Sequence, residues 1–177
     1  SMHPIRRRAA AYIGSQETWI ENDTGGGGSV LMVEIETPEG MRTLWAVDMP
    51  STIGASRRSL FEQAREAIGR VSRVNAIDSI GRWGSAPLGA DDPLRVPDLV
   101  VGDFNTPSHA WSVDRFLPAT RPARADAGWG PPGTFPATAP VLEIDFARLG
   151  PGARATHLTT LRADGCRHLG IVLDLER

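Results

Sequence analysis

PDLVVGDFNTPSHAW, residues 97–111, carries an apolar run from Leu99 to Val101 into a glycine and then presents Asp103 and Asn105 with only Phe104 between them. The run reads as a buried strand over 98–102, and Gly102 and Pro107 mark where it ends. In extended chain, residues two apart point to the same side, so the spacing predicts that a carboxylate and an amide meet just past the strand end. That pairing suits a phosphate site, where a carboxylate orients or deprotonates a water near a divalent cation and an amide donates to a phosphoryl oxygen. The plainer alternative is an Asx turn that leads into the next helix.

Outward from this stretch, alternating apolar strands are expected at 29–36 and 43–48, joined through Pro38-Glu39-Gly40 as a hairpin. A helix follows, with Ser56 as its cap. Leu60, Ala64, Ala67, Ile68 and Val71 form one face, Glu66 and Arg70 make an i to i+4 pair, and the arginines form a solvated face. Residues 75–96 read as a long loop, 108–117 as a short helix and 118–140 as irregular chain. Strands are expected at 141–147, 156–162 and 169–175. Trp45, Trp111 and Trp129 read as packing residues. The order of elements argues for one α/β domain over 29–177, with mixed β-sheets flanked by helices, preceded by a polar segment over 1–28. No internal repeat is visible.

Composition narrows the function classes. The chain has 177 residues, 41% of them hydrophobic, enough for a folded core. Nineteen basic residues against 21 acidic ones give a net charge of -2, which excludes a global basic field for nonspecific nucleic-acid binding. One cysteine excludes an internal disulfide and leaves the compartment open. No apolar run approaches the roughly 18 to 20 residues of a membrane span and no signal-peptide pattern opens the chain, so a soluble protein is expected. Ser1-Met2 reads as the remnant of a cleaved tag, with the natural gene beginning elsewhere.

Gly102-Asp103-Phe104-Asn105-Thr106 behind an apolar strand resembles the GDFN signature of the endonuclease/exonuclease/phosphatase superfamily. Other pieces are similar to that family in order and spacing: WAVDMPS followed by Arg57 or Arg58, then Gly133-Thr134-Phe135-Pro136, the strand Leu142 to Phe146 with Asp145, and the closing GCRHLGIVLDL. The resemblance covers roughly residues 29 to 175. It implies an α/β sandwich and a Mg²⁺- or Mn²⁺-dependent hydrolysis of a phosphoester by in-line attack of water, with the substrate class left open. It further implies Asp103 as general base and metal ligand, Asn105 as phosphate ligand, and His168 as the group that hydrogen-bonds or protonates the phosphoryl oxygen, with Asp145 holding its imidazole. His109 is placed near enough to approach substrate, whereas His157 and His3 look incidental.

Two positions depart from the family pattern. Arg167 stands where the family carries an aspartate, and a guanidinium there repels Mg²⁺ but binds a phosphate or carboxylate. Asp48 stands where the family carries histidine or tyrosine and is available as an oxygen ligand for the metal. Gln16-Glu17 invites comparison with the family's metal-binding glutamate, but too few residues separate Glu17 from Asp48 for the elements that intervene in the family. The chain is therefore expected to represent the C-terminal part of such a domain, or a reduced relative. An apolar sheet face would then be uncovered, favouring a homo-oligomer. The alternatives to a hydrolase are a non-catalytic relative acting as a binding or scaffolding module, or an unrelated α/β domain with a chance GDFN.

Overall fold

The computed structural model describes residues 5–13, 28–51, 56–74, 96–128 and 133–176. These form eleven elements: β1 (Ile5–Ile13), β2 (Gly28–Thr37), β3 (Gly40–Asp48), α1 (Arg57–Val74), β4 (Leu99–Asp103), α2 (Trp111–Phe116), β5 (Arg121–Pro122), α3 (Arg124–Ala127), β6 (Asp145–Leu149), β7 (Ala155–Leu161) and β8 (Gly170–Leu175). They build a six-stranded mixed sheet ordered β1-β2-β3-β4-β6-β5 and a separate two-stranded sheet, β7-β8. β3 and β4 pair in parallel, and the chain between them carries α1 as the crossover that parallel strands require. The other paired strands run antiparallel.

Alternation along the strands sends residues to two cores. Val30, Met32, Trp45, Val47, Val100, Phe104 and Phe146 pack against Leu60, Phe61, Ala64 and Ile68 of α1 and Val113 and Phe116 of α2. On the opposite face of the large sheet, Leu99, Val101, Ala147 and Leu149 pack against Ala155, Leu158, Ile171 and Leu173 of the small one. The result is an α/β sandwich, with the large sheet between a helical layer and the β7-β8 pair. Among the described residues, no helix is long and apolar enough to cross a membrane.

The hairpin, the crossover helix and the GDFN strand stand where the sequence places them, and Ser56 offers its carbonyl to Leu60 N–H at the start of α1. Four expectations are corrected. The segment over 1–28, read only as a polar stretch ahead of the domain, supplies β1, which pairs with β2. The helix expected from Ser108 begins at Trp111, because Ser108 N–H is drawn off to the Glu143 carbonyl. The strand expected from residue 141 begins at Asp145, because Val141 and Leu142 fold back to hydrogen-bond Phe135. The stretch 118–140 holds β5 and α3. Residues 75–95, the side chains of Ala67, Arg70 and Val71, and Trp129 lie outside the described residues.

Candidate active site

Strand register assembles the site. Asp48 of β3 lies opposite Asp103 of β4, and Asp103 lies opposite Asp145 of β6, so three carboxylates from three strands form a row across one end of the sheet. Cross-strand partners share a face, here the face that carries the β7-β8 layer. Gly102 is needed one residue earlier. Its φ is +149°, and a Cβ there would stand 1.9 Å from the Val47 carbonyl oxygen.

Past Asp103 the strand does not continue as the alternation argument predicts. Asn105 has φ 46°, and its backbone N–H donates to Asp103 Oδ1 at 2.7 Å, which is an Asx turn. The turn brings the two side chains together by a different route. The Asn105 amide nitrogen donates to the Met49 carbonyl at 2.7 Å and to Asp103 Oδ2 at 3.2 Å. Its donors are thus directed at β3 and at Asp103, which makes Asn105 a brace for the carboxylate. Between them, Phe104 is fully buried and stacks on Phe146, with ring centroids 4.0 Å apart.

The third component arrives from the C-terminal turn. His168 Nδ1 lies 2.9 and 3.2 Å from the two oxygens of Asp145 and 3.7 Å from Asp103 Oδ2. A donor at Nδ1 fixes the tautomer that leaves Nε2 available. Buried Thr134 explains why the turn sits here. Its hydroxyl oxygen accepts Ile144 N–H at 3.3 Å and Asp145 N–H at 3.1 Å, while its carbonyl accepts Leu169 N–H at 2.8 Å. The adjoining Ala137 N–H donates to the Arg167 carbonyl at 2.7 Å. The Thr134–Ala137 stretch is therefore the bracket between β6 and the histidine.

Desolvation pushes the Asp103 carboxyl above the usual carboxylate range; the Asn105 N–H and His168 oppose this, and Asp145 and Asp48 add to it. Arg57 supplies compensating charge. Its guanidinium donates to the Pro50 carbonyl at 2.6 Å, burial pulls its pKa below the ordinary arginine value, and the field of Asp103 raises it. Arg58 is the solvated member of that pair, joined to Glu62. The expectation that all the helix arginines face solvent is therefore corrected at Arg57.

Asp103, Asp145 and His168 each offer a ligand atom, all within 4.8 Å of one another, and together could hold a metal ion. The excess of carboxylates around desolvated Asp103 fits a cation, and their oxygens are the hard donors that Mg²⁺ or Mn²⁺ takes. Asp48 is exposed at the end of the same row. Arg167 stands apart from the carboxylates as an exposed residue whose guanidinium lies 5.8 Å from the centre of the Phe135 ring, the same ring that contacts His168 at 4.8 Å. His109 is exposed in the turn before α2, and among the described residues no hydrogen bond ties it to Asp103, Asp145 or His168. Gln16 and Glu17 lie outside the described residues.

A neighbouring group, centred on Glu143, has little signature in the sequence. Glu143 receives a hydrogen bond from Arg124 Nε at 2.8 Å and another from the Ser108 hydroxyl. The only signal was Glu143 two residues before Asp145, an acidic residue in an otherwise apolar run.

No protein-family model matches the chain, and no curated protein does. Solved structures do match. A conserved protein of unknown function from Enterococcus faecalis superposes with a TM-score of 0.64 at 17% identity, over 97% of this chain and 67% of the other. A mannosyl-6-phosphatase from Bacteroides thetaiotaomicron gives 0.62 at 12% identity, over 99% and 67%. An endonuclease/exonuclease/phosphatase family protein from the same organism gives 0.62 at 12% identity, over 98% and 66%. The chain thus spans about two thirds of the length of these structures, consistent with a partial domain. Identities this low speak for architecture alone, and the architecture agrees with the motif order: this chain has the endonuclease/exonuclease/phosphatase fold.

Proposed function

We propose that the chain is a metal-dependent phosphoester hydrolase. The observation that carries this reading is the convergence of Asp103, Asp145 and His168 at one end of the sheet, from three separate parts of the sequence. The names of two structural neighbours, a mannosyl-6-phosphatase and an endonuclease/exonuclease/phosphatase family protein, support it.

Asp103, with its raised proton affinity, orients the attacking water and takes its proton. The water oxygen bonds to phosphorus as the bond to the ester oxygen breaks, and the leaving alkoxide oxygen takes up a proton from solvent and departs as the alcohol, while Asp103 returns its proton to solvent. His168, anchored through Nδ1 by Asp145, directs Nε2 at the phosphoryl group, and Asn105 holds Asp103 in place. Arg57 adds a fixed positive charge near Asp103. Asp103 and Asp48 would hold Mg²⁺ or Mn²⁺, which when bound polarises a phosphoryl oxygen.

The second reading, a binding or scaffolding module, is favoured by the two-thirds coverage of the neighbours. A homo-oligomer is part of either proposal, supported by exposed Leu161, Val172 and Leu175 on β7-β8. Hydrolysis of p-nitrophenyl phosphate and its bis ester with Mg²⁺ or Mn²⁺, run beside His168→Asn, decides between the readings. Turnover lost in the variant supports the hydrolase, and none in either protein supports the binding module.

A further inference from the structure

A cavity of about 270 Å³ opens beside the carboxylate row, with Asp145 in its wall. One side is polar, formed by Ser108, Arg124 and Glu143, and the other is apolar, where Leu158 and Ile171 stand. The geometry points to a subsite for the leaving group of the ester: a compact, uncharged, hydroxyl-bearing group of monosaccharide size. This rests on the phosphoester reading of Asp103 and His168.

Three features set the ligand class. Pockets that enclose drug-sized ligands run from about 300 Å³ upward, so this one suits a smaller group. Its charged lining is spent on other partners, since Arg124 Nε donates to Glu143 at 2.8 Å, Arg148 Nη2 donates to Asp114 at 2.9 Å and Asp145 meets His168 Nδ1 at 2.9 Å, and the pocket therefore offers little to a second phosphate. Glu143 and Ser108 can still meet hydroxyls, while Leu158 and Ile171 meet a C–H face. A polynucleotide needs the opposite, an open groove with unpaired cations and stacking aromatics. Because Asp145 belongs both to the cavity wall and to the His168 contact, a group seated here places its ester oxygen at the end of the carboxylate row.

Binding can be read without turnover. Isothermal titration in EDTA, which withholds the metal that hydrolysis needs, would compare glucose 6-phosphate, inorganic phosphate and a single-stranded DNA tetranucleotide on the wild-type chain. Ala125→Trp, at an exposed position in the wall, and Ile171→Phe, on the apolar side, narrow the cavity from two elements. Glucose 6-phosphate is expected to bind about tenfold more tightly than phosphate. Either variant should remove that difference while leaving the affinity for phosphate unchanged. Equal affinities in the wild type, an unchanged difference in both variants, or tighter binding of the tetranucleotide would overturn the subsite. Absence of hydrolysis with the tenfold preference intact would sink the catalytic reading and leave the subsite standing.

Discussion

Asp103 and Asp145 face each other across the β4–β6 ladder, and the Nδ1 of one histidine, His168, lies within 3.7 Å of both carboxylates. Two acids held together by strand register, one of them desolvated, form a site whose charge works against the fold.

That conflict has a sign. The Asp103 pKa is raised by folding, first by desolvation, so its protonated form is favoured in the native state. Its contribution is fully favourable below the unfolded pKa and is lost as pH rises through the folded one. In EDTA at neutral pH, Asp103→Asn is therefore expected to raise Tm by a few degrees, with the gain shrinking as pH falls below the carboxylate range, and in Mg²⁺ or Mn²⁺ it should abolish hydrolysis. A Tm lowered by the substitution at neutral pH would show that Asp103 is instead a stabilising acid.

The four letters of the motif separate into four physical jobs, only some of which the sequence discloses. The glycine is legible as a break, but its cause, the approach of the Val47 carbonyl, comes from the β3–β4 pairing. Gly102→Ala should therefore destabilise severely and lower soluble expression. Phe104 is a core anchor in contact with Phe146, a partner over forty positions away that no local pattern reveals. The Asp103–Asn105 pairing is predicted from strand alternation and realised through an Asx turn. Similarly, β1 escapes notice because its hydrogen bonds to β2 are long-range, and the late start of β6 because Val141 and Leu142 turn back onto nearby Phe135, whereas the hairpin and α1 follow local periodicity. His168 and Asp145 become partners in sequence only through the family resemblance. Asp48's place in the row, Arg57's burial and the Glu143 network depend on register and packing.

Phe104→Ala tests the anchor directly. Truncating a fully buried aromatic ring costs about 3–5 kcal/mol, and here it also ends the stack on Phe146. Phe104→Leu should recover more than half of that loss in urea denaturation. A cost below about 1 kcal/mol for the alanine variant would mean that the two rings do not define the core under the motif.

Arg148 is buried, with Nε on the Thr120 hydroxyl at 2.8 Å and Nη2 on the Thr120 carbonyl and on Asp114 at 2.8 and 2.9 Å. Asp114 is solvent-exposed, so removing the arginine strands no buried charge. Arg148→Ala is expected to cost about 2 kcal/mol, mostly lost hydrogen bonds and packing, and Arg148→Met distinctly less. Equal losses for the two would assign the whole effect to the guanidinium's hydrogen bonds and none to packing.

His168 and Asp145 should separate in kinetics. His168→Asn removes the group aimed at phosphate and is expected to lower kcat by about 10²–10⁴. Asp145→Asn keeps the imidazole but removes its charged anchor, for which a loss of about 10–100-fold is the usual scale. Both variants should leave KM nearly unchanged. If Asp145→Asn were as damaging as His168→Asn, the carboxylate would be acting on the substrate or metal itself.

A bound cation would offset the charge that makes Asp103 unfavourable in the fold. A cation that binds the native state stabilises it by mass action, about 2.7 kcal/mol at a concentration 100 times Kd. For a chain of this size, each kcal/mol is worth about 2–4 °C in Tm. Wild-type protein should therefore melt several degrees higher in Mn²⁺ or Mg²⁺ than in EDTA. Asp103→Asn, already stabilised by loss of its charge, should gain little from the metal. Asp48→Asn identifies the second ligand: a reduced metal response places the ion between β3 and β4 at the Asp48 end of the row. An undiminished one places it between β4 and β6, in the Asp103, Asp145 and His168 group.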